Sequence, residues 1–226
     1  MIAGAGSNST EEAIELTQFA KAAGADAVLH STGYYNKPTQ EGLYLHFKAI
    51  SDAVDLPIIV YNVPVRTIVD ISATTMARIA QLKNFAGIKD ATANPARESQ
   101  HRALIQRDYA ALSGEDATAL GYNAHGGHGC ISVTANVAPK LCAAFQAACA
   151  AGDYTGARAL HDQLMPLHDA LFVETNPAPV KYAAWRIGLI DSPDCRLPLA
   201  PLQEATKKAV DTALAKAGLL KAKAAE

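Results

Sequence analysis

The sequence predicts an α/β protein built on a parallel sheet, followed by an all-helical region. Three observations lead there. Short apolar runs alternate with longer amphipathic ones as far as about residue 150. Most of the short runs are near-continuously apolar, as parallel strands covered on both faces are. After residue 152 the strands stop, and three helical stretches follow, separated by prolines. A repeating βα pattern implies right-handed crossovers between parallel strands. Six such units fit two architectures: an open doubly wound sheet, or a (β/α)8 barrel with units missing.

The strand candidates are 2–5, 27–31, 57–63, 85–91, 109–113 and 129–133. Helices are expected at about 10–24, 40–54, 72–83, 95–107, 116–124 and 136–151. Ser9 or Thr10 starts the first helix, and the acids Glu11 and Glu12 favour the positive end of its dipole. Ser72 precedes the third helical run. Gly24 and Gly152 fall where helix C-caps belong. The later helices are expected at 152–173, 179–188 and 201–220, and the polar tail 221–226 is expected to fray. The chain therefore divides into a βα region, 1–152, and a helical region, 153–226.

Composition excludes several classes. Half of the 226 residues are apolar and 19% are charged, which is not a disordered composition. Twenty Lys+Arg against 22 Asp+Glu leave no basic footprint for nucleic acid or an anionic membrane. No apolar run reaches the ~18 residues of a membrane span. Cys130, Cys142, Cys149 and Cys195 form no C-x-x-C pair and read as reduced thiols in a cytoplasmic protein.

Parallel βα folds place their chemistry at the C-terminal ends of strands. Lys89 sits there, in the apolar run Phe85-Ala-Gly-Ile-Lys89-Asp-Ala. Burial disfavours an ammonium and lowers its pKa, and a partly neutral lysine attacks carbonyls to give Schiff bases. The alternative is a lysine that snorkels to water or pairs with Asp90. Lys181 is the only rival. Tyr61 ends the preceding strand at a comparable level, so its hydroxyl could pass protons near the amine; the alternative is a core tyrosine with its hydroxyl at the rim. Arg66, in the loop that follows, offers a fork for a carboxylate or is simply an exposed arginine. Gly4-x-Gly6 is half of a dinucleotide fingerprint, with Ser9 where the third glycine belongs. His125-Gly-Gly-His128 suggests either a metal or a tight turn into a strand.

Together these residues resemble a known family. Tyr61-Asn-Val-Pro-x-Arg66-Thr67, Gly87-Ile-Lys89-Asp-Ala-Thr92, Ser113-Gly114-Glu-Asp116 and Gly126-Gly-His-Gly-Cys-Ile131-Ser132 occur in that order. Tyr34-Tyr35-Asn-Lys-Pro38, Gly42-Leu-Tyr-x-His46-Phe47 and Ala135-Asn-Val137 extend the match. The pattern is similar to the dihydrodipicolinate synthase family, within the Schiff-base aldolases that include N-acetylneuraminate lyase. The resemblance implies a (β/α)8 TIM barrel with a helical C-terminal region. It implies condensation of pyruvate with L-aspartate 4-semialdehyde, on the diaminopimelate route to lysine, with no cofactor or metal beyond the covalent Schiff base.

In that reading Lys89 forms the imine, Tyr61 shuttles protons, and Arg66 binds the semialdehyde carboxylate. Gly114 and Ile131 line the pyruvate pocket. Tyr35 matches a relay tyrosine inserted into a neighbouring subunit, so a homo-oligomer, tetramer or dimer, is implied. Asn8, Glu12 and Tyr34 match part of a lysine-inhibitor site. Val63-Pro-Val-Arg66-Thr67 favours the synthase over related pyruvate-dependent aldolases.

The resemblance also implies a departure. Family members begin with further residues holding about the first two βα units and a pair of relay threonines. The expectation is a barrel lacking those units and impaired in catalysis, because opening ~1,000 Å² of apolar interior would cost about 25 kcal/mol. A catalytically dead remnant serving as a binding or oligomerisation module, and a dinucleotide-binding open sheet, are the competing expectations.

Overall fold

The computed structural model describes residues 1–220. Two compact units divide between Ile131 and Ser132.

In the first unit six strands form one sheet in chain order. They are β1 (Ile2–Gly4), β2 (Ala27–Ser31), β3 (Ile58–Asn62), β4 (Phe85–Asp90), β5 (Ala110–Ser113) and β6 (Gly129–Cys130). Every neighbouring pair is parallel. A doubly wound sheet reverses its strand order at a switch point; this one does not. The intervening helices are α1 (Thr10–Ala22), α2 (Gln40–Ala53), α3 (Pro64–Thr67), α4 (Ala73–Ile79), α5 (Ala96–Leu104) and α6 (Ala119–Ala124).

The core occupies one side of the sheet. Val28, Ile58, Val60 and Ile88 pack against Leu43, Phe47 and Ile50 of α2 and Met76 and Ile79 of α4. Each such buried side chain contributes about 1.5–3 kcal/mol. Successive strand residues face opposite ways, so Tyr61 and Lys89, adjacent to Val60 and Ile88, face away from the helices. The result is a parallel half-barrel with helices outside.

Local signals set the helix ends. Ser9 Oγ accepts the Glu12 N–H at 3.4 Å, which makes Ser9 rather than Thr10 the cap of α1. Thr39 and Ser72 cap α2 and α4 in the same way, each at 3.1 Å. Gly24 follows α1 in the left-handed region, φ 82°, which a side chain would resist. Pro64–Thr67, expected as loop, closes a single helical turn, α3. Proline at its first position has φ already set for a helix, and the Ile68 N–H reaches the Pro64 carbonyl at 2.8 Å. β6 is shorter than the expected 129–133, although the Ile131 N–H still reaches the Ser113 carbonyl at 2.9 Å.

The second unit is helical. A 3-10 turn (Thr134–Asn136) leads to α7 (Pro139–Ala150), α8 (Tyr154–Ala170), α9 (Ala178–Arg186) and α10 (Glu204–Lys216). Leu164, Leu167, Leu171, Ala183, Val210 and Leu214 form its core. The Arg186 guanidinium forks onto Asp211, at 2.8 and 3.0 Å. Compactness groups α7 with the later helices, whereas the strand–helix alternation groups it with the sixth strand. The expected fraying of 221–226 lies outside the described residues. No described helix is long and apolar enough to cross a membrane.

Candidate active site

Parallel register brings the two leading candidates side by side. Tyr61 of β3 pairs with Lys89 of β4. The Lys89 Nζ stands 4.0 Å from the centroid of the Tyr61 ring. The ring face carries partial negative charge and attracts a cation at this range. The contact shown is therefore amine to ring face, where the sequence pointed to amine and hydroxyl.

Gly114, just past β5, makes room for this arrangement. A Cβ there would lie 3.0 Å from Lys89 Cε, 3.2 Å from Lys89 Cγ and 2.9 Å from the Ala91 Cβ. The Gly114 N–H donates to the Asp90 carbonyl at 2.6 Å and the Ile131 N–H to the Ser113 carbonyl at 2.9 Å. Both amides extend the ladder.

Burial lowers the Lys89 pKa first; Cys130 and Asp116 raise it, and Arg66 lowers it further. Burial also raises the Tyr61 phenol, with Arg66 pulling it down and Glu115 pushing it up. The site thus holds a lysine biased toward its neutral, nucleophilic form beside a phenol biased toward keeping its proton. Lys89 does not turn to Asp90, which lies buried on the helix side. Asp90 Oδ1 instead accepts from the Thr92 N–H at 3.0 Å and from the Thr92 hydroxyl at 2.5 Å.

Arg66 sits on α3, and its charge reaches both Tyr61 and Lys89. The turn closes on Ile68, a β-branched residue in the left-handed region at φ 66° and 71% exposed. That conformation costs about 1–2 kcal/mol.

Most of the remaining candidates have local partners of their own. Tyr35 is 96% exposed at φ 71°. Asn8 accepts the Asn36 side-chain N–H at its carbonyl, 2.9 Å, and lies against Gly33, which places it beside the loop carrying the exposed Tyr34. Glu12 accepts the Ser7 hydroxyl. Gly6 packs on β2, where a Cβ would meet Ser31 at 3.0 Å. His125 Nδ1 meets the Ser99 hydroxyl at 2.9 Å, and His128 Nδ1 accepts the Ala111 N–H at 3.0 Å. These bonds anchor the turn before β6. Lys181 of α9 donates to the Asp194 carbonyl. None of the four cysteines forms a disulfide.

The sequence profile of the Dihydrodipicolinate synthetase family matches residues 1–217. The chain belongs to this family. Within the dihydrodipicolinate synthetase family it is 63% identical over 220 residues to the 4-hydroxy-tetrahydrodipicolinate synthase of Parvibaculum lavamentivorans, covering 97% of this chain and 75% of that protein. It is 60% identical over 220 residues to the protein of that name from Bradyrhizobium diazoefficiens, covering 97% and 74%. Among solved structures it is similar to the chloride-inhibited dihydrodipicolinate synthase of Acinetobacter baumannii complexed with pyruvate. There the TM-score is 0.93 at 50% identity, over 97% of this chain and 75% of that one.

In this member of the dihydrodipicolinate synthetase family, several groups around Lys89 escaped the sequence reading. Asp116, Glu115 and Cys130 act electrostatically on the amine or the phenol. Asp116 and Glu115 follow β5 and Cys130 ends β6. The strand-end rule that found Lys89 also covers them, but only register shows that they converge.

Proposed function

We propose that this chain carries the 4-hydroxy-tetrahydrodipicolinate synthase reaction, joining pyruvate to L-aspartate 4-semialdehyde through an imine on Lys89. The observation that supports it most is the half-buried amine with a lowered pKa, held over the Tyr61 ring. The neutral amine attacks the ketone carbon of pyruvate, and the carbinolamine loses water to leave an imine. Loss of a methyl proton gives the enamine, whose carbon adds to the aldehyde carbonyl; the aldehyde oxygen takes up a proton. Tyr61 supplies and receives protons at these steps. Arg66 holds the carboxylate of the semialdehyde, and Gly114 and Ile131 line the ketoacid pocket. All the covalent chemistry runs on the lysine and the substrate, with no external cofactor.

The finer assignments belong to the same proposal. The six strands, in sequential order with helices on one side, are strands three to eight of a (β/α)8 barrel. Residues 1–152 form the catalytic region and 153–226 the helical one. Tyr35, almost wholly exposed, extends into a second copy in a homo-oligomer. Asn8, Glu12 and Tyr34 contribute to a lysine-inhibitor site. Four cysteines without a C-x-x-C pair and a biosynthetic role support a cytoplasmic location.

The test is reductive trapping. Pyruvate with borohydride should add a stable mass to the peptide containing Lys89, and Lys89→Ala should abolish it. A folded sample with no adduct, or with the adduct on Lys181, would refute the assignment.

A further inference from the structure

We propose that Asn62, Asp70 and Arg97 are positioning residues that clasp the Arg66 turn, so that its guanidinium meets the carboxylate of the second substrate; this rests on the function proposed above. Asn62 is the last residue of β3 and is fully buried. Its Oδ1 accepts the Ile71 N–H at 3.1 Å, and its Nδ2 donates to Asp70 Oδ1 at 2.8 Å. One side chain at the entrance of the turn thereby binds both residues at its exit.

Two helices hold the exit from outside. Arg97 of α5 donates to Asp70 Oδ2 at 2.5 Å and to the Ile71 carbonyl at 3.1 Å. Gln40 of α2 donates to the Asp70 carbonyl at 2.8 Å and accepts the Ser72 N–H at 3.0 Å. Within the turn, the Thr67 hydroxyl donates to the carbonyls of Val63 and Val69, at 3.1 and 3.2 Å. Ile68, strained and mostly exposed, has too little burial to hold its own conformation. Strain of that kind persists where the surroundings over-determine the backbone, and the clasp supplies that constraint. None of the three residues faces the amine. Asn62 and Arg97 act from the helix side of the sheet, while Arg66 projects its charge to Tyr61 and Lys89.

The experiment uses the full chain with pyruvate reduced onto Lys89, which blocks condensation, and titrates it with succinate semialdehyde. Asp70→Ala should raise the Kd about tenfold and Gln40→Ala about threefold, with Asp70→Asn close to the parent. The rate of pyruvate adduct formation should change far less than the Kd in all of them, because Arg66 is the smallest of the influences on the Lys89 amine. In an Arg66→Ala background, Asp70→Ala should add nothing.

Unchanged Kd, additive losses in the double variant, or an equal fall in pyruvate capture would overturn the clasp. So would a parent adduct that binds no succinate semialdehyde. If Asp70→Ala does not fold, Arg97→Ala, which removes the bonds to Asp70 and to the Ile71 carbonyl and should also raise the Kd about tenfold, decides alone. A parent chain that forms no pyruvate adduct would overturn the function itself, an outcome visible before any aldehyde is added.

Discussion

Replacing Gly114 by alanine should disable the lysine without touching it. The new methyl carbon would stand 3.0 Å from Lys89 Cε and 2.9 Å from the Ala91 Cβ. Carbon atoms in contact prefer about 3.5–4.0 Å, so both neighbours must move by roughly half an ångström or more. The lysine stem can swing, but the Ala91 Cβ moves only if its backbone moves with it. Overpacking of this kind costs about 1–3 kcal/mol. With 2–4 °C per kcal/mol for a chain of this length, the melting temperature should fall by about 2–12 °C. A displacement approaching 1 Å at a reacting atom costs about a hundredfold. We therefore expect adduct formation with pyruvate and borohydride to slow by ten- to a hundredfold, measured by mass spectrometry at fixed times. Circular dichroism would report folding in parallel. A folded Gly114→Ala protein that captures pyruvate within twofold of the parent would show that the stem is not confined.

Three further expectations concern the same site. Tyr61→Phe keeps the ring under the amine and removes the hydroxyl, so pyruvate capture should survive while methyl-proton exchange in deuterated buffer slows by about a hundredfold or more; equal exchange rates would remove Tyr61 from proton transfer. Because burial lowers the Lys89 pKa, capture should rise with pH through a midpoint below that of free lysine. Between that midpoint and the free-lysine pKa of about 10.4 the unfolded chain binds the extra proton, so stability also rises with pH across that window. Asp116→Asn removes a group that raises this pKa and should move the capture midpoint lower; an upward shift in the pH–rate profile would contradict the charge arrangement.

Much of the fold was legible because hydrophobic pattern is local. Five of the six strand candidates match observed strands to within two residues, and Ser72 caps its helix as read. The side of the sheet on which the helices lie was not legible, since apolar runs read alike in open sheets and barrels. Lys89 stood out as a charge in an apolar strand. Gly114 emerged only through family resemblance, because its role is to withhold a Cβ from a residue 25 positions away. α3 looks like loop in the sequence because one turn has no periodicity to detect. The Asn62 clasp was hidden for another reason: its partners come from α2, α5 and the far end of a loop, which only tertiary structure assembles.

A free lysine side chain samples many rotamers, and halting that motion costs about 2 kcal/mol. Here Lys89 Cγ and Cε run beside Gly114, and the nitrogen rests on the Tyr61 ring. That motion is arrested when the chain folds, before any ketone arrives. The nucleophile meets its electrophile already aimed, and bond formation has only the incoming molecule left to immobilise.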